Sequence, residues 1–286
     1  MKSILTLLAV AVAATSYGQN DPKNYHVDKE FKITANGVLK LDASNARVTI
    51  TGSSRETAHV KIDRVVTSKG WVFGEKAFGV EINEDANGLT IHEKPHSVSG
   101  IIGFYSEKYT IEIEVPASVS LTVRGDDGNY NVSHINGAVA FDLDDADVEL
   151  TECDGSSFRF SVDDGRIKMN RGKGKLEIKG DDAHVEITNG SFSSVTSSTD
   201  DGSVSIETSL ADKGDYHINA EDGQVILSIT GGGGKIDIHH DDGRVTADSK
   251  FDLLRDTDER KQYNLANGTA TVDIRTDDAR VRLISR

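Results

Sequence analysis

The chain has 286 residues, a formal net charge of −15, three prolines, 27 glycines and a single cysteine. That acidity repels nucleic acid and anionic lipid, and no basic groove or basic amphipathic helix offsets it. One cysteine excludes an intrachain disulfide, so stability has to come from packing.

Residues 1–18 read as a signal peptide: Lys2, an apolar run over 4–14, then the small residues Ser16 and Gly18 near a cleavage point. The run is too short for a stable anchor, and no later stretch is apolar enough to cross a membrane as a helix. No cysteine stands near the cut for lipid attachment. The expectation is a secreted protein, located in the periplasm, at the outer surface or outside the cell. Residues 19–30 are polar and read as a flexible lead-in. Residues 31–120 are expected to form an N-terminal β cap and the first strands. Within them, 39–50 is a degenerate copy of the unit described below, and 59–66 adds an alternating strand.

The region 70–109 is different. It holds Trp71, Phe73, Phe78, Phe104 and Tyr105, and Asn87-Gly88 between alternating strands is a hairpin signal. The preferred reading is a hairpin cap over the first open sheet edge. The alternative makes Trp71, Phe73, Phe104 and Tyr105 an aromatic contact surface.

From residue 121 to 286 one unit recurs. In 176–187, LEIKGDDAHVEI, two alternating strands flank an acidic corner followed by a small residue. The second corner acid stands at Asp127, Asp145, Asp164, Asp182, Asp201, Asp222 and Asp242, in steps of 18 to 21 residues, and again at Asp278, 36 residues on. Six and four residues before each acid, and three and five after it, the side chains are almost all apolar; Ser197 is the exception among the positions four before. Equal register in successive copies lets them stack on one shared core. The fold class is therefore all-β: a flattened parallel β-solenoid, or β-helix, of ~18–20-residue coils with an N-terminal hairpin cap. A meander of antiparallel hairpins is the competing reading, because Asp-Gly also makes two-residue hairpin turns. Residues 251–267, with LLRDTDERKQ at their centre, form a charged insertion expected as a surface loop or short helix.

The copies around 121 carry a resemblance. Residues 109–136, YTIEIEVPASVSLTVRGDDGNYNVSHIN, followed by strand-Asp-Gly-strand units, resemble the bacterial adhesin-like family with β-strand repeats, exported envelope proteins classed as domains of unknown function. The resemblance covers residue 31 onward. It implies a right-handed β-solenoid at the cell surface or in the periplasm, with no established enzyme activity and no catalytic residues to carry over.

Several motifs suggest chemistry and fail on context. His92-Glu93-Lys94-Pro95-His96 has the letters of a zinc-protease helix, but Pro95 and the strand-like 88–91 oppose a helix. Gly231-Gly232-Gly233-Gly234 resembles a calcium-binding β-roll turn, yet Ile236 stands where aspartate is needed. Cys153 has no arguable histidine partner. The corner acids pose a real question, because stacked coils about 4.8 Å apart bring their carboxylates together. Either the aspartates turn inward to accept from corner N–H groups, with Arg166, Arg244, Arg280 and His184 screening the rest, or divalent ions bridge them. The turn role is preferred; His239, His240, Asp241 and Asp242 are the candidate metal ligands. The reading is an exported, non-enzymatic structural or adhesive module without cofactor. It would contact a cell-surface protein or glycan, but neither nucleic acid nor, through a span, the membrane. The alternative is a polysaccharide-binding or polysaccharide-degrading β-helix protein.

Overall fold

The computed structural model describes residues 24–74 and 76–286, so the signal expected over 1–18 lies outside the described residues. All regular elements among them are strands. Alternation turns every second side chain inward, and each acidic corner carries the chain from one strand to the next, so successive copies enclose a common core. Leu121, Val123, Tyr130 and Val132 stack in parallel register on Val139, Phe141, Val148 and Leu150, and all eight are buried. The same pairing continues to Phe158 and Ile167, then from Ile167 to Val185, and on to Val204 and Val225. Aromatic residues form a column inside: Tyr130 meets Phe141 edge-on at 5.9 Å, and Phe141 stacks on Phe160 at 5.9 Å. Each such side chain contributes about 1.5–3 kcal/mol by leaving water. The parallel β-solenoid expected from the repeat is the fold, and the hairpin meander is not.

Chain order and stack order part company at both ends. Residues 38–53 lie between the 120–133 coil and an outer coil built from Gly88–Glu93 and residues 110–116. At the other end, Val272 pairs with Tyr216 on one side and Ile236 on the other. The 270–285 coil is therefore inserted between 215–229 and 234–247, although it comes last in sequence. The simple rule that each block lies on its predecessor holds only for the middle coils.

The reason lies in the edges. An outermost parallel strand exposes a row of unpaired N–H and C=O groups. At the C-terminal end the chain runs one coil too far, makes its own cover there and only then returns to fill the gap. At the N-terminal end the coil 38–53 is laid first, the cover and outer coil are built on one side of it, and the chain then crosses to its other side. At the N-terminal end, Val80–Asp85 pairs antiparallel with Gly88–Glu93, and Thr57–Phe73 pairs antiparallel with Gly100–Pro116. At the other end, residues 251–267 are neither loop nor helix. They contain an antiparallel hairpin, Phe251–Thr257 with Arg260–Leu265, whose second strand covers Gly234–His240. The four glycines at 231–234 mark this crossover: a Cβ on Gly233 would lie 2.2 Å from the Leu265 carbonyl oxygen, and one on Gly234 2.1 Å from that of Ala270.

The lead-in also differs from expectation. From Asn24 onward it is a strand, Asn24–Lys32, paired antiparallel with residues 57–65. Its inward side chains are sparse (Val27 and the half-buried Tyr25 and Phe31), so it has little alternation to read.

Candidate functional site

Two features stand out: the acidic edge and an exposed aromatic ribbon. Along the edge, Asp145, Asp164 and Asp182 are in direct register, and all eight second acids, from Asp127 to Asp278, are exposed. Their carboxylates do not turn inward to cap the corners. Corner N–H groups donate instead to main-chain carbonyls of adjoining coils: Asp145 to Asp126, Asp201 to Asp181, Asp222 to Asp200. The small residue after each acid faces the neighbouring backbone at close range. At Gly165, φ is +123° and a Cβ would lie 2.2 Å from the Ala146 carbonyl oxygen. Close stacking, then, rather than an Asx-turn, explains why that residue is small. Arg166, Arg244, Arg280 and His184 form no ion pair with the row among the described residues. Desolvation and then the Asp182 and Asp145 carboxylates push Asp164 above the ordinary aspartate range; desolvation and then Asp181 do the same to Asp163.

A cleft of about 590 Å³ opens along this edge, lined by Asp200, Glu221, Asp241, Glu259, Asp277 and Arg275 among others. It gathers like charges, and its guanidinium is held by Asp273 at 2.9 Å. Of the candidate metal ligands, His239, His240 and Asp241 line it and Asp242 does not, but among the described residues they form no ligand set. His240 is 6 % exposed with neither ring nitrogen hydrogen-bonded, His239 lies 3.5 Å from Asp237, and Asp241 and Asp242 face solvent. Among the described residues no three His, Cys, Asp or Glu side chains gather as metal ligands would. The Cys153 thiol is buried, and burial raises its pKa, the reverse of an activated nucleophile.

The ribbon is built from the far halves of Thr57–Phe73 and Gly100–Pro116. Asn24–Lys32 supports the first of these strands only as far as Val65; beyond it, residues 66–73 and 100–107 pair with each other alone among the described residues. Trp71 stands opposite Ile102, Lys69 opposite Phe104, and Phe73 opposite Gly100. Directly opposed residues share a face, as do residues two apart. Trp71, Phe73, Ile102 and Phe104 therefore line one face, at 70 %, 46 %, 65 % and 55 % exposure. Trp71 and Phe73 stack at 6.4 Å. Of the sequence-predicted contact residues, Tyr105 is separated from this stripe: it lies on the opposite face and its hydroxyl donates to Glu107 at 3.0 Å. The foot of the hairpin caps the edge as expected, but its far part covers nothing.

A family model, Toastrack DUF4097, matches residues 37–283. The chain belongs to the Toastrack DUF4097 family. No protein of curated function matches the sequence. Among solved structures, this Toastrack chain is similar to a putative adhesin of Bacteroides fragilis (10 % identity, TM-score 0.45, covering 92 % of this chain and 99 % of that one). It is similar also to a putative adhesin of Parabacteroides distasonis (12 %, 0.44, 91 % and 97 %) and a putative cell adhesion protein of Clostridium sporogenes (11 %, 0.27, 91 % and 100 %).

One polar cluster in the Toastrack chain escaped sequence reasoning. Arg64, 2 % exposed, bonds Glu107 at 2.6 Å and lies over the Phe78 ring at 4.4 Å. His96 lies 3.0 Å from Glu93 and 3.8 Å from Glu107, while Glu93 accepts from the Ser44 N–H at 3.0 Å. Burial raises the Glu93 carboxyl above its ordinary range. Burial also pushes Glu107 upward, but the hydrogen bond and charge of Arg64 outweigh it and leave that carboxyl low. The letters of the zinc motif thus serve a strand and the bend beside it: His92 pairs with Asp42 at 2.8 Å, away from His96. Parity held the missed signal, because Arg64 occupies an inward place between Ile62 and Val66.

Proposed function

We propose that this Toastrack chain is an exported, non-enzymatic binding module of the bacterial cell envelope. Its solenoid serves as a stiff body, and the aromatic ribbon makes the contact. The exposure of Trp71, Phe73, Ile102 and Phe104 on one face carries this reading, because a solvent-exposed apolar stripe costs solubility unless a partner covers it. The test is cosedimentation with an isolated envelope fraction. The parent chain is expected in the pellet, and the double variant Trp71→Ser, Phe104→Ser to lose about tenfold or more of its retention. Equal retention of the two would overturn the ribbon as the contact.

The acidic cleft favours a second reading, a site for a neutral or amino-bearing glycan, since its carboxylates accept hydrogen bonds from hydroxyl and ammonium groups. A glycan panel scored for both binding and cleavage separates the two. Released product would replace the non-enzymatic reading with a polysaccharide-degrading one.

A further inference from the structure

We propose that the partner of the aromatic ribbon is a lipid bilayer surface, into which its far end dips without spanning. This rests on the reading of the ribbon as the contact. The first observation is that both faces of the ribbon are apolar at that end. Behind the Trp71 face, Ile101 is 46 % exposed and Val72 half-buried. A protein partner docking on a flat strip covers one face, whereas a bilayer interface surrounds both.

The second observation is the order of charges. Residues 65–74 and 97–106 contain no aspartate or glutamate and a single charge, Lys69, in a chain with 47 acids; Glu75 and Lys76 follow next in sequence, and the Lys76 N–H donates to the Ser97 carbonyl at 2.9 Å. On the outward face the apolar end is followed by Lys69 and then, nearer the body, by Lys108 opposite Val65, both exposed and neither in an ion pair among the described residues. Aromatic side chains with exposed lysines on either side, Lys76 beyond Phe73 and Lys69 and Lys108 toward the body, match an acyl boundary overlaid by phosphates.

The third is area. The four side chains of the stripe expose roughly 500 Å², well under the ~800 Å² per partner of a stable dimer, so a second copy of the chain is the poorer occupant. A lipid surface needs no such minimum, and a shallow apolar wedge with basic flanks gives reversible attachment.

Trp71 is the only tryptophan, so its fluorescence reports on the ribbon alone. Full-length mature chain is titrated with phosphatidylcholine vesicles, with and without brominated acyl chains. The expected result is a shift of Trp71 emission to shorter wavelength, quenching by the brominated lipid, and cosedimentation that falls about tenfold or more in Ile102→Asp and in Phe104→Asp. Both variants should keep the parent melting temperature, because the side chains stand in solvent. Unchanged emission with the protein left in the supernatant overturns the proposal. So does a shift that grows with protein concentration in the absence of lipid, which would identify a second copy as the occupant. Pelleting without quenching, and indifferent to Ile102→Asp, would mean that lipid binds elsewhere and also overturns it. Should the serine variants lose envelope binding while pure vesicles fail to bind the parent, the contact reading stands and only the bilayer is wrong.

Discussion

Ser197 is buried between Ile178 and Ile218 of the adjoining coils, and its hydroxyl has no hydrogen-bond partner. An unsatisfied buried hydroxyl costs about 1 kcal/mol or more, so Ser197→Ala should stabilise the protein by about 1 kcal/mol and raise its melting temperature by ~2–4 °C. A destabilised variant would mean that the hydroxyl has a partner. The acidic row makes a separate prediction. Asp163 and Asp164 have raised folded-state pKa values, so folding favours their protonated forms. The stability this confers is complete below the ordinary aspartate pKa of about 4 and is lost as pH rises through the raised values. Asp163→Asn with Asp164→Asn should therefore melt higher than the parent at neutral pH and low salt, and the gap should close on acidification or at high salt. Carboxylates with lowered values act in the opposite sense. Asp237, bonded by Arg260 at 2.8 Å, contributes stability that is lost as pH falls. Comparing the double variant with the parent cancels that contribution. Residue parity told the sequence reader which side chains face inward, including the odd Ser197. It did not reveal what the corner aspartates do, because an exposed carboxylate and an inward-turned one follow the same letters.

The two end hairpins show what alternation misses at the level of elements. Middle strands have one dry face and one wet face, and their pattern is plain in sequence. The strand Phe251–Thr257 is exposed at every position after Phe251, so its charged run looks like a loop or a helix although it is an edge cover. Charge on an edge strand also discourages pairing with other chains. Its attachment rests on Phe251, 6 % exposed and edge-on to Tyr263 at 6.3 Å. Phe251→Ala should cost about 3 kcal/mol locally. Hydrogen exchange would then show Gly234–His240 losing protection while the 139–187 coils keep theirs. Uniform loss along the stack would contradict a detachable cap. The ribbon at the other end was half legible: its aromatic content was conspicuous, but the Asn87-Gly88 signal marked the separate hairpin of Val80–Asp85 with Gly88–Glu93. Which rings share a face depends on the pairing of Trp71 with Ile102, a relation across the chain that no local window contains.

In the whole molecule, the repeat announced a parallel stack but not its order. Val272 and Ile274 fit against Tyr216 and Ile218 as well as against Ile236 and Ile238, and in the structure they meet both pairs. Copies that share one pattern are interchangeable as neighbours, so order is decided by where the covering hairpins must sit. The resulting architecture, a coil laid last between two earlier ones, is the claim on which the placement of the C-terminal cap depends. Cysteine cross-linking tests it most directly. Thr271 is in direct register with Asp215 on one side and Lys235 on the other, and all three are exposed. Neighbouring positions at about 4.8 Å lie within disulfide reach, whereas positions two coils apart do not. Under mild oxidation, Asp215→Cys with Thr271→Cys and Lys235→Cys with Thr271→Cys should each close a bond, and Asp215→Cys with Lys235→Cys should not. A ready bond in that last pair, with Thr271→Cys left free in the other two, would show the coils stacked in simple chain order and contradict the account.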